Sequence, residues 1–246
     1  MNKIIKTSSI IILLLSIFEL IIRLYKLPVY LIPTPSKVIF TTWEYRNELL
    51  NAIMWTSIEA LIGLFIAISF AIICGLLFIR FKPVEESVKP FLIALQGTPV
   101  LALAPILTAW FGTGLGSKVI CTFIVCFFPL VVGITSGLRS PTIEEIELFK
   151  TFGISEWKIL WNLRIPRCVP WFFSALKVAV PLSVIGAIVS EFVGSSNGIG
   201  FIILTASYYL KIAKMFSGIL CCTGLSICLF GIVRIFEKKV YFWEGN

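Results

Sequence analysis

Long apolar stretches constrain this chain more than any other feature of its sequence. Five of them, each roughly 19 to 25 residues long, carry almost no charge and cover residues 55–79, 91–111, 119–138, 171–193 and 215–233. A helix that rises 1.5 Å per residue crosses about 30 Å of hydrocarbon within such a length. Backbone amides inside a bilayer must be hydrogen-bonded internally, and the alternation typical of barrel strands is absent. The chain is therefore predicted to be an all-α integral membrane protein.

The amino-terminal segment adds a sixth, weaker apolar stretch. MNKIIKTSSIIILLLSIF has the basic start and apolar core of a secretory signal, but no small-residue cleavage site follows it. Glu19 comes directly after the uncharged residues, and Arg23 lies four positions later, where it could pair with Glu19 on a helix. We interpret the segment as an uncleaved first membrane helix, with an interfacial helix as the alternative. The prediction is thus six transmembrane helices.

The basic residues predict the orientation of these helices. With six spans, thirteen of the 21 Lys and Arg lie on the side of the two termini, seven lie on the other side, and Lys177 lies within a span. Because cytoplasmic loops carry the excess of Lys and Arg, both termini are predicted to be cytoplasmic. The net charge of +8 does not indicate a nucleic-acid partner, since the basic residues are scattered between apolar segments.

Composition excludes several functions. The chain is 58% hydrophobic, which rules out a water-soluble domain, and it has neither His nor Asp. A Ser-His-Asp triad, a His-ligated zinc site and an aspartyl dyad are therefore impossible. The seven Cys form no CxxC pair, and residues 112–118, GTGLGSK, lack the GK[ST] order of a phosphate-binding loop. No enzyme activity, metal site or cofactor is predicted.

One connection, residues 139–170, is much longer than the loop at residues 80–90. Thr142 and Glu145 have the spacing of a capping box, which predicts the start of a helix, and Gly153 is placed to end that helix. Ser155 is placed to cap a second helix over residues 156–163. Pro166 and Pro170 are expected to end this run before the fifth span. We predict a helix-Gly-helix elbow on the cytoplasmic face.

The elbow is unusually apolar for a water-exposed loop. Its apolar residues are Phe149, Phe152, Ile154, Trp157, Ile159, Leu160 and Trp161. They could pack on the protein's own helix ends. They could equally anchor a cytoplasmic partner, with a polar rim formed by Glu147, Lys150, Lys158 and Arg164. The residues alone leave both interpretations open.

A resemblance to a known family separates these interpretations. The stretch Glu147-Leu148-Phe149-Lys150-Thr151-Phe152-Gly153, followed by Ile165-Pro166, resembles the EAA signature of ABC importer permeases. LPVYLIPTPSKV, KPFLIALQGTPVLALAPILTAWFGTGLGSK and GAIVSEFVGSSNGIGFII are similar to the nitrate/taurine/sulfonate type of these binding-protein-dependent permeases. The likeness extends from Leu27 to the carboxyl terminus.

The resemblance implies a type I ABC importer permease: one transmembrane domain over residues 1–246 in the plasma membrane of a bacterium, with residues 139–170 as its cytoplasmic coupling loop. The implied partners are two ABC ATPase subunits, which hydrolyse the ATP, a second permease copy, an extracytoplasmic substrate-binding protein and the lipid bilayer. The implied cargo is a small solute such as a sulfonate, nitrate or a vitamin precursor. A motor-independent secondary transporter or channel is the alternative.

Within the coupling loop, the resemblance gives Glu147, Gly153 and Pro166 the motif positions. Leu148 and Phe149 stand where the family usually has two alanines. The residues assigned to ATPase coupling are Glu147, Leu148, Phe149, Phe152, Gly153, Trp157 and Pro166.

Charged residues and helix breakers inside spans are the candidates for the solute pathway or its gate. The charged residues are Glu59, Lys177 and Glu191. The two Glu lie far apart in the sequence, and Lys177 and Glu191, 14 residues apart, are about 21 Å apart along a helix and cannot pair. Lys177 could instead extend to the membrane edge, and a gating role is expected for Glu191. The expected breaks lie at Gln96 to Pro99 and Pro105 in the third span and at Pro181 and Ser183 in the fifth, with simple kinking or close packing, as at Gly133 and Gly137, as the alternative. The candidates are Gln96, Thr98, Pro99, Lys177, Ser183 and Glu191.

Overall fold

The computed structural model of the protein describes residues 2–26, 28–29 and 31–240, and these fold into α-helices without a β-strand. The predicted all-α class is confirmed. The helices are α1 (Asn2–Leu24), α2 (Pro35–Glu44), α3 (Arg46–Arg80), α4 (Lys82–Gly97), α5 (Val100–Phe111), α6 (Leu115–Leu138), α7 (Ile143–Thr151), α8 (Glu156–Ile159), α9 (Ile165–Glu191), α10 (Ile199–Tyr208) and α11 (Ile212–Val240), with a π-helical turn, Leu160–Arg164, between α8 and α9.

Four helical segments in the described part of the chain are long and apolar enough to cross a membrane. They are α3, α6, α11 and the continuous helix Glu156–Glu191, which joins α8, the π turn and α9. The pair α4 and α5 makes a fifth candidate span, bent by 101° at its break. The sixth predicted span corresponds to α1, which is helical, but the count of six and the orientation of the termini stay predictions.

The break between α4 and α5 is the one expected from the sequence. Thr98 adopts extended backbone (ψ 125°) because the ring of Pro99 disfavours helical geometry at the preceding residue. The expected interruptions at Pro105 and Pro181 were wrong, since α5 and α9 run through these prolines. One lost amide hydrogen bond does not end a helix that packed neighbours support.

Helices α3, α6 and α9 form the centre of the molecule, where small residues let the backbones approach closely. Gly137 on α6 faces α9, and a Cβ at this position would lie 2.8 Å from the Cys168 Sγ and 2.8 Å from the Trp171 Cβ. A Cβ at Gly133 would collide with Ala175. This arrangement confirms the close packing expected for the Gly133 and Gly137 pair.

We expect Gly137→Leu to destabilise the protein, because the added side chain must separate α6 from α9. Overpacking of this kind costs about 1–3 kcal/mol. The measurement is the thermal unfolding midpoint of the purified chain in detergent. Gly224→Leu on α11 is the matched control, since nothing lies within 4 Å of a Cβ there. Equal midpoints for the two variants would contradict the packing argument.

The elbow has its predicted first half. Thr142 caps α7 through a capping box: the Thr142 N–H donates to Glu145 Oε2 (2.9 Å), and the Glu145 N–H donates to Thr142 Oγ1 (3.2 Å). Hydrogen bonds from its own backbone amide and from the Thr142 hydroxyl hold the pKa of Glu144 below its usual value. Gly153 follows α7 with a φ of +68°, a left-handed conformation that favours glycine.

The second half of the elbow differs from the prediction. Helix α8 begins after Ser155 as expected, but the Ser155 side chain makes no capping hydrogen bond. Pro166 and Pro170 do not end the run, because the helix continues from Glu156 to Glu191. Pro166 follows the π turn, in which the Ile165 N–H donates to the Leu160 carbonyl five residues back. Pro170 lies inside α9, where the loss of one amide hydrogen bond does not end a packed helix.

Candidate functional site

The elbow divides its apolar residues between the protein interior and the surface. Ile159 is completely buried, so the packing interpretation holds for it. Phe152 is 74% exposed and Trp157 is 67% exposed, and Leu148 is also exposed while Phe149 is half-buried. Trp110 is equally exposed (74%), but it lies on α5 of the apolar bent pair, which can face lipid, whereas Phe152 lies at the turn after α7. The elbow therefore presents aromatic groups that the chain itself does not cover.

Two ion pairs connect the helices on either side of the Gly153 turn. Lys150 Nζ lies 2.8 Å from Glu156 Oε1 and so bridges the Gly153 turn. Arg167 on α9 forms an ion pair with Glu145 on α7. These pairs connect the arms on both sides of the turn, and because they are exposed each contributes at most about 1 kcal/mol to the position of α7.

The three residues at the positions of the EAA signature lie in two parts of the elbow. Glu147 is exposed on α7, and Gly153 forms the turn that follows. Pro166 is exposed near the start of α9, directly after the π turn and about three turns into the long helix.

A second ion cluster, which the sequence analysis did not identify, anchors the elbow's first residue. The buried Glu85 accepts from both terminal nitrogens of Arg139, at 2.7 Å for Nη1, and pairs with Lys89 at 2.8 Å. This cluster fixes the start of α4 against the end of α6. In the sequence, the four-residue spacing of Glu85 and Lys89 could have indicated the ion pair between these two residues, but not the pair with Arg139.

At the other end of α9, a carboxylate closes the turn between α9 and α10. Glu191 is 1% exposed, and its Oε1 accepts from Thr56 Oγ1 (2.6 Å) while its Oε2 accepts from the Gly200 N–H (2.5 Å). Thr56 Oγ1 in turn accepts from the Ile199 N–H (2.9 Å). A carboxylate bonded to free amides at a helix start is favourable in charge and geometry. We call this group, Thr56, Glu191, Ile199 and Gly200, the outer latch.

The latch has no room for larger residues at the start of α10. Gly198 adopts a φ of +100°, and a Cβ there would collide with the Glu191 carboxylate. A Cβ at Gly200 would lie 2.6 Å from the Ile188 carbonyl oxygen. The sequence GSSNGIG thus folds tightly around one buried acidic side chain.

Two further titratable residues lie beside the latch. Glu59 on α3 is 3% exposed and lies within hydrogen-bonding reach of Glu191, and its Oε2 has no partner among the described residues. Lys118 at the start of α6 is also buried and donates to the carbonyls of Thr113 (2.5 Å) and Gly114 (3.1 Å). Its charge is attracted to both carboxyl groups. Glu59 and Glu191 are far apart in the sequence but meet because α3 packs against α9.

The other pathway candidates fall into two groups. Gln96, Thr98 and Pro99 are exposed together at the break between α4 and α5. Lys177 forms an ion pair with Glu237 on α11 (2.8 Å), and Ser183 is buried and donates to the Val180 carbonyl of its own helix (2.7 Å). The side chains of Lys177 and Ser183 are therefore engaged in contacts between or within helices.

The described part of the chain thus combines long apolar helices, a bent helix pair and an exposed elbow. The chain belongs to the family described as binding-protein-dependent transport system inner membrane component, whose profile matches residues 63–241.

Named relatives agree with this membership. A probable ABC transporter permease protein of Haemophilus influenzae is 32% identical, over 93% of this chain and 93% of its own length. The formylaminopyrimidine transport permease protein ThiX of Halalkalibacterium halodurans is 33% identical, over 94% of this chain and 93% of its own. The riboflavin transport system permease protein RibX of Chloroflexus aurantiacus is 27% identical over 95% of this chain and 88% of its own. The chain is thus an ABC importer permease, and the resemblance stated from the sequence is confirmed.

A solved structure shows the same fold. The methionine ABC transporter MetNI, in an inward-facing conformation, contains a chain that matches with a TM-score of 0.65 at 14% identity. The match covers 81% of this chain and 97% of that one. Both chains therefore share the permease architecture.

Proposed function

We propose that this chain forms half of the solute pathway of a type I ABC importer in a bacterial plasma membrane. Two copies would be joined by two ATPase subunits and an extracytoplasmic binding protein. The observation that carries the proposal is the rigid elbow, whose Phe152 and Trp157 are exposed although large and apolar. Such aromatic residues, ringed by polar groups, are typical anchors of protein interfaces.

The proposed topology has six membrane helices and cytoplasmic termini. Helix α1 has 23 residues, which at 1.5 Å each span about 34 Å, enough to cross the hydrocarbon. The predicted pair is present, with Arg23 Nη2 2.5 Å from Glu19 Oε1, so this charge is partly neutralised. The excess of Lys and Arg on the terminal side supports the orientation.

The proposed coupling residues are Glu147, Leu148, Phe149, Phe152, Gly153, Trp157 and Pro166, in the loop 139–170. Phe152 would enter a groove of the ATPase, Trp157 would touch the ATPase only with the exposed part of its indole, and Glu147 would contribute to the polar rim. The ion pairs from Glu145 to Arg167 and from Lys150 to Glu156 would help to carry displacement of α7 into the membrane helices, because they connect both arms of the elbow.

The proposed pathway residues are Gln96, Thr98 and Pro99, at the exposed break of the third span. Irregular backbone at membrane depth is tolerated where it lines a cavity. We assign Lys177 and Ser183 to helix packing on the basis of their contacts. Glu191 is proposed as a gate residue, because the outer latch it forms joins α3, α9 and α10.

The proposed cargo is a small nutrient solute of the heterocyclic, vitamin-precursor class. The support is that the permeases named for formylaminopyrimidine and riboflavin are more identical to this chain than those named for aliphatic sulfonates and taurine, which cover as much of it. Sulfonate and nitrate are the competing cargoes. We expect unlabelled pyrimidines to compete with the uptake of a labelled pyrimidine. Taurine and nitrate are not expected to compete.

The test is reconstitution of the chain with the ATPase and the binding protein encoded beside its gene. Uptake into proteoliposomes is expected to require ATP and both partners. Uptake by the chain alone, driven by an ion gradient, would favour the secondary transporter instead.

Gly153→Pro is expected to leave the chain in the membrane but to uncouple ATP hydrolysis from uptake. Proline cannot adopt the φ of +68° and lacks the N–H that bonds the Lys150 carbonyl (2.9 Å), so the turn must change direction. Gly114→Pro is the control, since Gly114 has a φ of −77° that suits proline. Normal coupling in Gly153→Pro would count against a fixed elbow.

A further inference from the structure

A groove at the elbow end of the bundle has the shape of a site for an amphiphile. It encloses about 760 Å³, within the range of roughly 300–1,000 Å³ typical of ligand pockets. Its floor is aliphatic, and its mouth carries charged residues. The residues used below are Ile72, Leu76 and Arg80 of α3, Trp157 and Trp161 of the elbow, and Arg164 of the π turn, all of which line it.

The apolar part of the groove continues the membrane-spanning surface. Ile72 and Leu76 are exposed residues of a helix long enough to cross the bilayer. Trp157 and Trp161 form the opposite wall as an edge-to-face pair with ring centroids 6.0 Å apart. Tryptophan is enriched where membrane meets water. A hydrocarbon chain lying along this floor would therefore reach headgroup level beside the two indoles.

The mouth of the groove is basic. Arg80, the last residue of α3, makes no hydrogen bond or ion pair within the described part of the chain. Arg164 uses Nη1 to bond the Leu138 carbonyl (3.0 Å), which leaves its other donors for a ligand. The one acidic lining residue, Glu156, is paired with Lys150, and Arg164 and Arg80 also attract its carboxylate, so three cations face one anion. The mouth is thus suited to an anion.

We propose that this groove binds one anionic phospholipid, with an acyl chain between α3 and the tryptophans and the phosphate between Arg80 and Arg164. Basic pockets between membrane helices on the cytoplasmic side are suited to acidic headgroups. The assignment of the mouth to the cytoplasmic leaflet rests on the orientation proposed above. Lipid in this position would fill the space under the elbow and support the wall formed by Trp157 and Trp161.

The test uses the full-length chain in phosphatidylcholine bilayers that contain increasing fractions of brominated phosphatidylglycerol. Bromine in the acyl chain quenches tryptophan fluorescence at close range. The Trp157→Phe/Trp161→Phe double variant gives the signal of the other five tryptophans, which is subtracted. Because both leaflets contain both lipids and transport is not measured, the result is independent of the proposed orientation and function.

We expect phosphatidylglycerol to be preferred over brominated phosphatidylcholine at these tryptophans by about fivefold or more, and Arg80→Gln to reduce the preference about fivefold. Lys82→Gln, which removes a nearby exposed charge outside the groove, is expected to leave it unchanged. Equal preference in Arg80→Gln and the unaltered chain would overturn the proposal. Weak quenching by both lipids, which would indicate that protein fills the groove, would also overturn the proposal. Loss of the phosphatidylglycerol quenching on addition of excess glycerol phosphate would overturn it as well.

Discussion

Phe152→Asp is expected to abolish ATP-driven uptake while leaving the permease folded in the membrane. Phe152 is 74% exposed at the end of α7, so the chain loses little packing when the ring is removed. An aromatic anchor buried in a partner contributes about 2–4 kcal/mol to binding, which is roughly a 30- to 1,000-fold change in affinity. A carboxylate in the same groove adds a desolvation cost. The measurements are co-purification of the ATPase subunit and uptake in proteoliposomes.

Phe81→Asp is the matched control for this variant. Phe81 is also exposed, at the turn between α3 and α4 and outside the elbow. The Phe81→Asp substitution introduces the same charge as Phe152→Asp and removes a similar apolar surface. Retention of the ATPase by the Phe152→Asp form, at the level of the control, would show that the elbow is not the docking surface.

Glu191→Leu is expected to produce the second large effect, on both stability and gating. It leaves the Gly200 amide and the Thr56 hydroxyl without their buried acceptor, at a cost of about 3 kcal/mol. For a chain of this size the unfolding midpoint should fall by roughly 6–12 °C. The start of α10 would also lose its anchor to α3, so solute should leak through the complex without ATP.

Two further variants separate gating from simple destabilisation. Glu191→Gln keeps one acceptor oxygen. It is expected to recover part of the lost stability but to reduce the solute leak to a smaller extent. Glu48→Gln is the control, because Glu48 is an exposed carboxylate paired with Lys214 at the same end of the molecule. A Glu191→Leu form that is less stable but shows no leak would assign the latch to folding alone.

Local sequence patterns predicted the elbow's first half because its determinants are neighbours in the chain. The capping box needs only Thr142 and Glu145, and the turn needs only Gly153. The break at Thr98 and Pro99 likewise depends on one peptide unit. The prolines at positions 166, 170 and 181 were misread because tolerance of a proline depends on what surrounds the helix, which local patterns do not contain.

The latch could not be predicted because it depends on packing between distant segments. Glu59 and Glu191 appeared separate in the sequence, and Lys118 counted only as an outer-loop charge. The Gly residues at positions 198 and 200 were a usable signal, since they indicate a close backbone approach. The positions of these glycines in the sequence, however, did not indicate that the group packed against them is the Glu191 carboxylate.

The π turn has a geometric consequence for the permease. One uninterrupted helix of 36 residues, about 54 Å long, runs from the elbow to Glu191, so the two ends are a single lever with a fixed angle between them. A π turn is equivalent to one extra residue in an α-helix, and one residue corresponds to about 100° of rotation. Leu160–Arg164 therefore sets the direction in which Trp157 points relative to Glu191. Deleting one residue there would turn Trp157 by about 100° relative to Glu191 and move Ile159 out of its buried position, so the elbow would face away from its partner.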